Sequence, residues 1–153
     1  MTSHDFSRQL SVTTPPAQSW AVLTDVSQLA GWVGIVSDVV EVSRLEKYTA
    51  VLADRVGPVK LRADLDITAR VLRDGQEIEL DASGRDRALD SRITVHAVLR
   101  IDGAQDGGST IVTSGRYEVT GRVATMASSV VQKKADQILE DFFTSAGREL
   151  GQR

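Results

Sequence analysis

The chain has 153 residues, 41% hydrophobic and 25% charged, with a formal net charge of −3. That length fits one domain, residues 1–153, able to bury roughly 70% of its unfolded surface. The absence of cysteine excludes disulfides, thiolate catalysis and Cys-ligated metals, and scattered Lys and Arg without an aromatic-basic cluster leave no grip for nucleic acid. The opening Met-Thr-Ser-His-Asp-Phe lacks a secretion signal, and no apolar run approaches the roughly 20 residues that span a bilayer, so a cytoplasmic location is expected.

Phe6, Arg8, Leu10 and Val12 alternate with Ser7, Gln9 and Ser11, which predicts a first strand. Thr14 is placed to cap a short helix opened by Pro15 and Pro16, with Trp20, Val22 and Leu23 on its apolar side. Asp25 and Ser27 mark a turn into a second short helix carrying Leu29, Ala30 and Trp32. A Val-rich run over 36–44 favours a strand. Leu45-Glu46-Lys47 turns it into a strand over 48–53, and Gly57-Pro58 marks the next turn.

Residues 59–71 carry the clearest pattern. Val59, Leu61, Ala63, Leu65, Ile67, Ala69 and Val71 alternate with charged residues or Thr, so one face is dry and the other wet. Burying a large apolar side chain is worth roughly 1.5–3 kcal/mol, and five together rival the net stability of a domain. Something must cover that face. Asp74-Gly75 is a hairpin signal. Ile78, Leu80 and Ala82 alternate in a strand ending near Gly84, with Arg85-Asp86-Arg87 read as a loop. Ile93, Val95, Ala97, Leu99 and Ile101 alternate again, residues 102–109 form a polar loop, and Thr110–Val119 reads as the last strand.

After Gly121 the period changes. Ala127, Val130, Val131, Ala135, Ile138, Leu139, Phe142, Phe143, Ala146 and Leu150 recur mostly at three- and four-residue steps. They predict an amphipathic helix of about 25 residues, close to ~37 Å long. The class is therefore α+β: a seven-stranded, curved antiparallel sheet around one long C-terminal helix, with two short helices after strand 1. This is a helix-grip arrangement.

No residue set calls for catalysis or a metal. His4 and His96 are the only histidines, one in an expected frayed terminus and one on a wet register. Asp64 and Asp66 share a strand face, where cross-strand ion pairs with nearby Lys60, Arg62 and Arg70 explain them. Gly103, Gly107 and Gly108 form no phosphate cradle, and Ser114, Ser128 and Ser129 have no base at motif spacing. Arg85, Asp86, Arg87 and Arg92 read as a solvated strand end. Polar residues on dry registers are confined to Tyr48, Tyr117 and Arg8.

Three stretches carry a family resemblance: Val56-Gly57-Pro58-Val59-Lys60, Val119-Thr120-Gly121-Arg122-Val123-Ala124, and Pro15-Pro16 through Trp20, Leu23 and Asp25. With Phe142 near the expected late-helix Phe, the chain resembles the carbon monoxide dehydrogenase CoxG family of the START/Bet v 1-like (SRPBCC) superfamily. The Pro-Gly pair common after the second short helix is missing; Leu29–Ile35 keeps Gly34 and adds Trp32. The chain stops at Arg153, without the anchoring tail of some members, so direct membrane anchoring is not expected.

The resemblance implies a non-catalytic carrier or accessory protein serving a molybdenum hydroxylase of the carbon monoxide dehydrogenase type. Its ligand would be an isoprenoid quinone or similar lipid rather than a resident cofactor, with transient peripheral contact at the inner membrane face. A polyketide cyclase-like enzyme and a ligand-free docking module are the alternatives. Ala63, Ala69, Ala82 and Ala97 on dry registers either let the helix approach closely or leave a hollow beneath it; the residues themselves do not choose. For a hollow, the expected ligand-binding residues are Trp20, Trp32, Leu65, Ile67, Leu80, Val95, Leu99, Val131, Leu139 and Phe142, with Trp32 beside Gly31 and Gly34 as a gate.

Overall fold

The computed structural model describes residues 2–56 and 58–152. In chain order it contains β1 (Thr2–Val12), α1 (Pro16–Leu23), α2 (Val26–Val33), β2 (Val36–Ser43), β3 (Lys47–Val56), β4 (Val59–Arg73), β5 (Glu77–Asp86), β6 (Ser91–Gly103), β7 (Ser109–Gly121) and α3 (Arg122–Leu150). The strands form one seven-stranded sheet in the order β1-β7-β6-β5-β4-β3-β2. Every neighbouring pair is antiparallel. This is the architecture expected from the period-2 and period-3.6 patterns. Gly57, half of the expected turn before β4, lies outside the described residues.

Local chemistry moves several boundaries. Thr14 does not cap α1, whose N-cap is Pro15. Its hydroxyl instead donates to the Leu150 carbonyl at 2.7 Å. That bond, with Thr13 N–H to Gly151 O (2.8 Å) and Thr14 N–H to Leu150 O (3.2 Å), ties the end of α3 to the β1–α1 link. These donors satisfy carbonyls that a helix C-terminus leaves open. Arg85 and Asp86, expected in a loop, belong to β5. The buried Asp86 carboxylate accepts from the Arg62 and Leu89 amides at 2.9 and 3.1 Å, which anchors the strand's last residue. His4 is no frayed end: it pairs with Tyr117 across β1 and β7, ring centroids 5.5 Å apart.

The sheet bends where side chains vanish. A Cβ on Gly115 would collide with the His96 carbonyl oxygen, and the Phe6 ring lies over the same spot. Glycine there lets the backbones close up and β7 curve. At the sheet's exit, Gly121 has φ of 92° and its missing Cβ would strike the Asp90 carbonyl. α3 then starts with the Val123 amide donating to Ser91 Oγ at 3.0 Å. The helix runs 29 residues, longer than expected, and departs from helical geometry at Ala127 (φ −144°, ψ 34°).

Two apolar clusters fasten α3 to the sheet. The first gathers Leu10, Val12, Ile78, Leu99, Ile101 and Ile111 around Ala146 and Leu150, with Leu23 and Leu29 from the short helices. The second gathers Val59, Leu61, Tyr117 and Val119 around Val123, Ala124, Ala127 and Val131. The clusters grip opposite ends of α3.

Candidate functional site

Between the clusters α3 stands off the sheet and leaves a half-open cavity of about 380 Å³. Its floor is the concave face: Leu65 and Ile67 of β4, Leu80 and Ala82 of β5, Ile93, Val95, Ala97 and Leu99 of β6, Thr113, Tyr117 and Val119 of β7. Its roof is α3, through Val131, Ala135, Ile138, Leu139, Phe142 and Phe143. α2 closes one side with Val26, Leu29, Ala30 and Val33. Room exists partly because Ala82 and Ala97 carry little volume. The other two small residues do the opposite: Ala63 is buried and Ala69 packs against the first cluster, so there the structure closes up.

Eight of the ten residues expected at a ligand site share this wall: Leu65, Ile67, Leu80, Val95, Leu99, Val131, Leu139 and Phe142. Trp20 and Trp32 do not line it. Trp20 packs against the first core cluster from α1. On α2, Val26, Leu29, Ala30 and Val33 form the inward stripe, and Trp32 lies roughly 110° around the helix from its centre. Its ring meets Phe142 edge-on at 5.5 Å, so it backs the wall instead of forming it. The stripe on α2 is visible in the sequence as an i, i+3, i+4, i+7 pattern and is the signal that names these four lining residues.

The wall is almost wholly apolar, which makes its polar atoms conspicuous. Thr113 Oγ1 and Tyr117 Oη are buried and have no hydrogen-bond partner among the described residues. Burial raises the Tyr117 pKa above its ordinary value of 10.0, and the nearby Asp136 charge raises it further, so the phenol stays neutral. The ionised residues in the wall are Asp54 and Lys134, which hold each other across β3 and α3 at 3.2 Å. Tyr48 and Arg8, the other dry-register polar residues, are engaged elsewhere. The Tyr48 hydroxyl accepts from the Leu45 amide at 2.8 Å, and Arg8 is exposed, donating to Ser7 O at 3.0 Å.

The convex face is polar. A shallow groove of about 310 Å³ there includes Asp66, Thr68, Asp81, Ser83, Thr94, His96, Arg116 and Glu118. His96 Nδ1 lies 2.7 Å from Asp81 Oδ1, as a wet-register histidine with a cross-strand partner. Asp64 and Asp66 do not make the expected ion pairs among the described residues. Asp64 faces Arg85 in the ladder, but that guanidinium reaches Asp90 at 3.7 Å. No group of three or more His, Asp or Glu among the described residues is placed to hold a metal ion. No described helix is long and apolar enough to cross a membrane.

Residues 9–151 match the family model for CoxG, the G component of carbon monoxide dehydrogenase. The chain belongs to the CoxG family. Solved structures share its fold at low identity. A conserved protein from Geobacillus kaustophilus is 20% identical with a TM-score of 0.78, covering 99% of this chain and 97% of that one. A START superfamily protein from Mycobacterium smegmatis is 9% identical with a TM-score of 0.68, covering 96% and 97%. The di-domain ARO/CYC BexL from the BE-7585A biosynthetic pathway is 11% identical with a TM-score of 0.64, covering 99% of this chain and 51% of that one. No curated protein matches the chain. This CoxG-family chain is thus a START/Bet v 1-like scaffold whose helix grips the sheet around an apolar hollow.

Proposed function

We propose that the protein binds a hydrophobic small molecule of the isoprenoid quinone kind in the sheet–helix cavity. It would act as carrier or accessory for a molybdenum hydroxylase of the carbon monoxide dehydrogenase type. The observation that carries this reading is the 380 Å³ of apolar-walled space. Ligand pockets run from about 300 to 1,000 Å³. A sealed, dry void of this size would cost about 9 kcal/mol at ~24 cal/mol per Å³, as much as a whole domain's stability. Filling it with an apolar ligand removes that cost and adds burial on both sides. The space suits a ring system and the first part of a prenyl tail, the rest leaving through the open side. The family's description as a component of carbon monoxide dehydrogenase supports the choice of partner.

A cyclase-like enzyme is the alternative raised by the shared fold. It finds less support, because the wall's ionised groups, Asp54 and Lys134, are committed to each other rather than aimed at a substrate. A solid docking module is disfavoured by the cavity itself.

The test is a titration with a naphthoquinone bearing a short prenyl chain, read by tryptophan fluorescence. Trp32 lies against Phe142, which lines the cavity, so a bound quinone quenches it. Saturable, one-to-one quenching supports the carrier reading. Linear, unsaturable quenching rejects it. A pull-down with the purified hydroxylase tests the partner separately.

A further inference from the structure

We infer that Tyr117 and Thr113 set the cavity's specificity, selecting a ligand whose hydrocarbon body carries an uncharged, hydrogen-bond-accepting oxygen. This rests on the carrier reading above and narrows it to a ligand class. Both residues are more than nine-tenths buried, at 9% and 7% exposure. Both stand in the cavity wall, and both hydroxyls lack a partner among the described residues. Buried polar atoms are normally satisfied, because an unpaired hydroxyl forfeits its hydration without return. Two orphans in one otherwise apolar wall are therefore a feature with a use.

Their chemistry limits what they read. A phenol O–H donates more strongly than it accepts, and its raised pKa keeps the proton in place, so the matching ligand atom is an acceptor. An ionised head group fits poorly. Lys134, the cation in the wall among the described residues, is already neutralised by Asp54 at 3.2 Å, so a ligand carboxylate would sit without a counter-charge or would have to break that pair. Carbonyl oxygens of quinones, ketones and esters meet the requirement.

The two hydroxyls also give the site direction. They lie on one face of β7, four residues and about 13 Å apart along the strand. Tyr117 belongs to the cluster around Val123 and Val131, whereas Thr113 pairs with Leu99 of the opposite cluster. Each marks one end of the hollow. Tyr117, the longer and stronger donor, is the principal reader.

The experiment compares 2-methyl-1,4-naphthoquinone with 2-methylnaphthalene, the same body without oxygens, by equilibrium dialysis against wild type, Tyr117→Phe and Thr113→Val. Both substitutions keep the shape of the side chain, and thermal melting checks that each variant is folded. For Tyr117→Phe the quinone Kd rises about tenfold, and for Thr113→Val about threefold, while the hydrocarbon Kd stays within twofold. If wild type binds both probes and neither variant changes their ratio, the hydroxyls do not read the ligand and the carrier reading stands alone. Equal weakening of both probes assigns the residues to packing and likewise overturns the inference. If wild type binds neither probe, the carrier reading fails and takes this inference with it.

Discussion

The ends of α3 and its middle obey different rules. At the ends, Leu150 and Val123 are almost completely buried and the helix sits directly on the sheet. In the middle, Ile138, Leu139 and Phe142 are only half-buried and face the hollow. The same amphipathic stripe runs through both. What differs is the opposing surface: large side chains from β1, β6 and β7 meet the C-terminal end, while Ala82 and Ala97 lie in the floor beneath the middle. A single helix is thus pinned at two points and bridges a gap between them. Stability is concentrated at the pins, and the span is left for binding.

One substitution made in both places exposes the contrast best. Leu150→Ala, at a fully buried end, should lower unfolding stability by about 2–5 kcal/mol. Leu139→Ala should cost about 1 kcal/mol or less, because much of its surface already faces open space. Urea unfolding of the two variants measures the difference; equal losses would mean that α3 packs evenly along its length.

Filling the span is the complementary move. Leu139→Trp should lower uptake of a short-chain quinone at least tenfold while the melting temperature changes by a few degrees at most. Leu65→Trp, from the floor, should block uptake similarly. Unchanged uptake in both would place the ligand elsewhere.

Legibility in the sequence follows the same division. The strands and α3 announce themselves because period 2 and period 3.6 are backbone geometry, local to each segment. Which inward residues touch solvent-sized space is not local. Ala63 and Ala82 carry the same side chain on the same kind of register, yet one is buried at 1% exposure and the other lines the hollow. The size of Trp32 suggests a wall residue, whereas its angle around α2 turns it toward Phe142. The role of Thr14 is hidden because its partner, Leu150, lies 136 positions away. Thr113 gives no signal, since a threonine in a Thr-rich strand looks the same whether satisfied or orphaned.

Two smaller effects refine the picture at the cavity's rim and wall. Lys134→Gln, removing the pair with Asp54, should cost up to about 1 kcal/mol, less at high salt, because Lys134 is partly exposed and screened. A larger, salt-independent loss would show that this pair, and not the two clusters, holds α3 down. The pH dependence of Tyr117 should be smaller still. Its folded pKa lies above the unfolded value of 10.0. Above that pH the unfolded chain loses the phenolic proton while the folded one keeps it, so unfolding becomes easier as pH rises. The contribution is complete below pH 10 and disappears through the raised pKa. Tyr117→Phe should flatten this alkaline decline by a measurable fraction in unfolding curves at about pH 9 and about pH 11. Identical slopes would mean that the phenol ionises equally in both states.

The hollow under α3 is, on this reading, a seat for a hydrophobic molecule. Native mass spectrometry of the full chain, purified without detergent from cells that contain quinones and lipids, puts that to the proof. One extra mass per chain is expected, released by organic solvent, identified as an uncharged carbonyl-bearing hydrocarbon and absent from Leu139→Trp. A protein that carries nothing from those cells and takes up no added quinone, with Leu139→Trp indistinguishable from wild type, would mean that the hollow holds no such ligand.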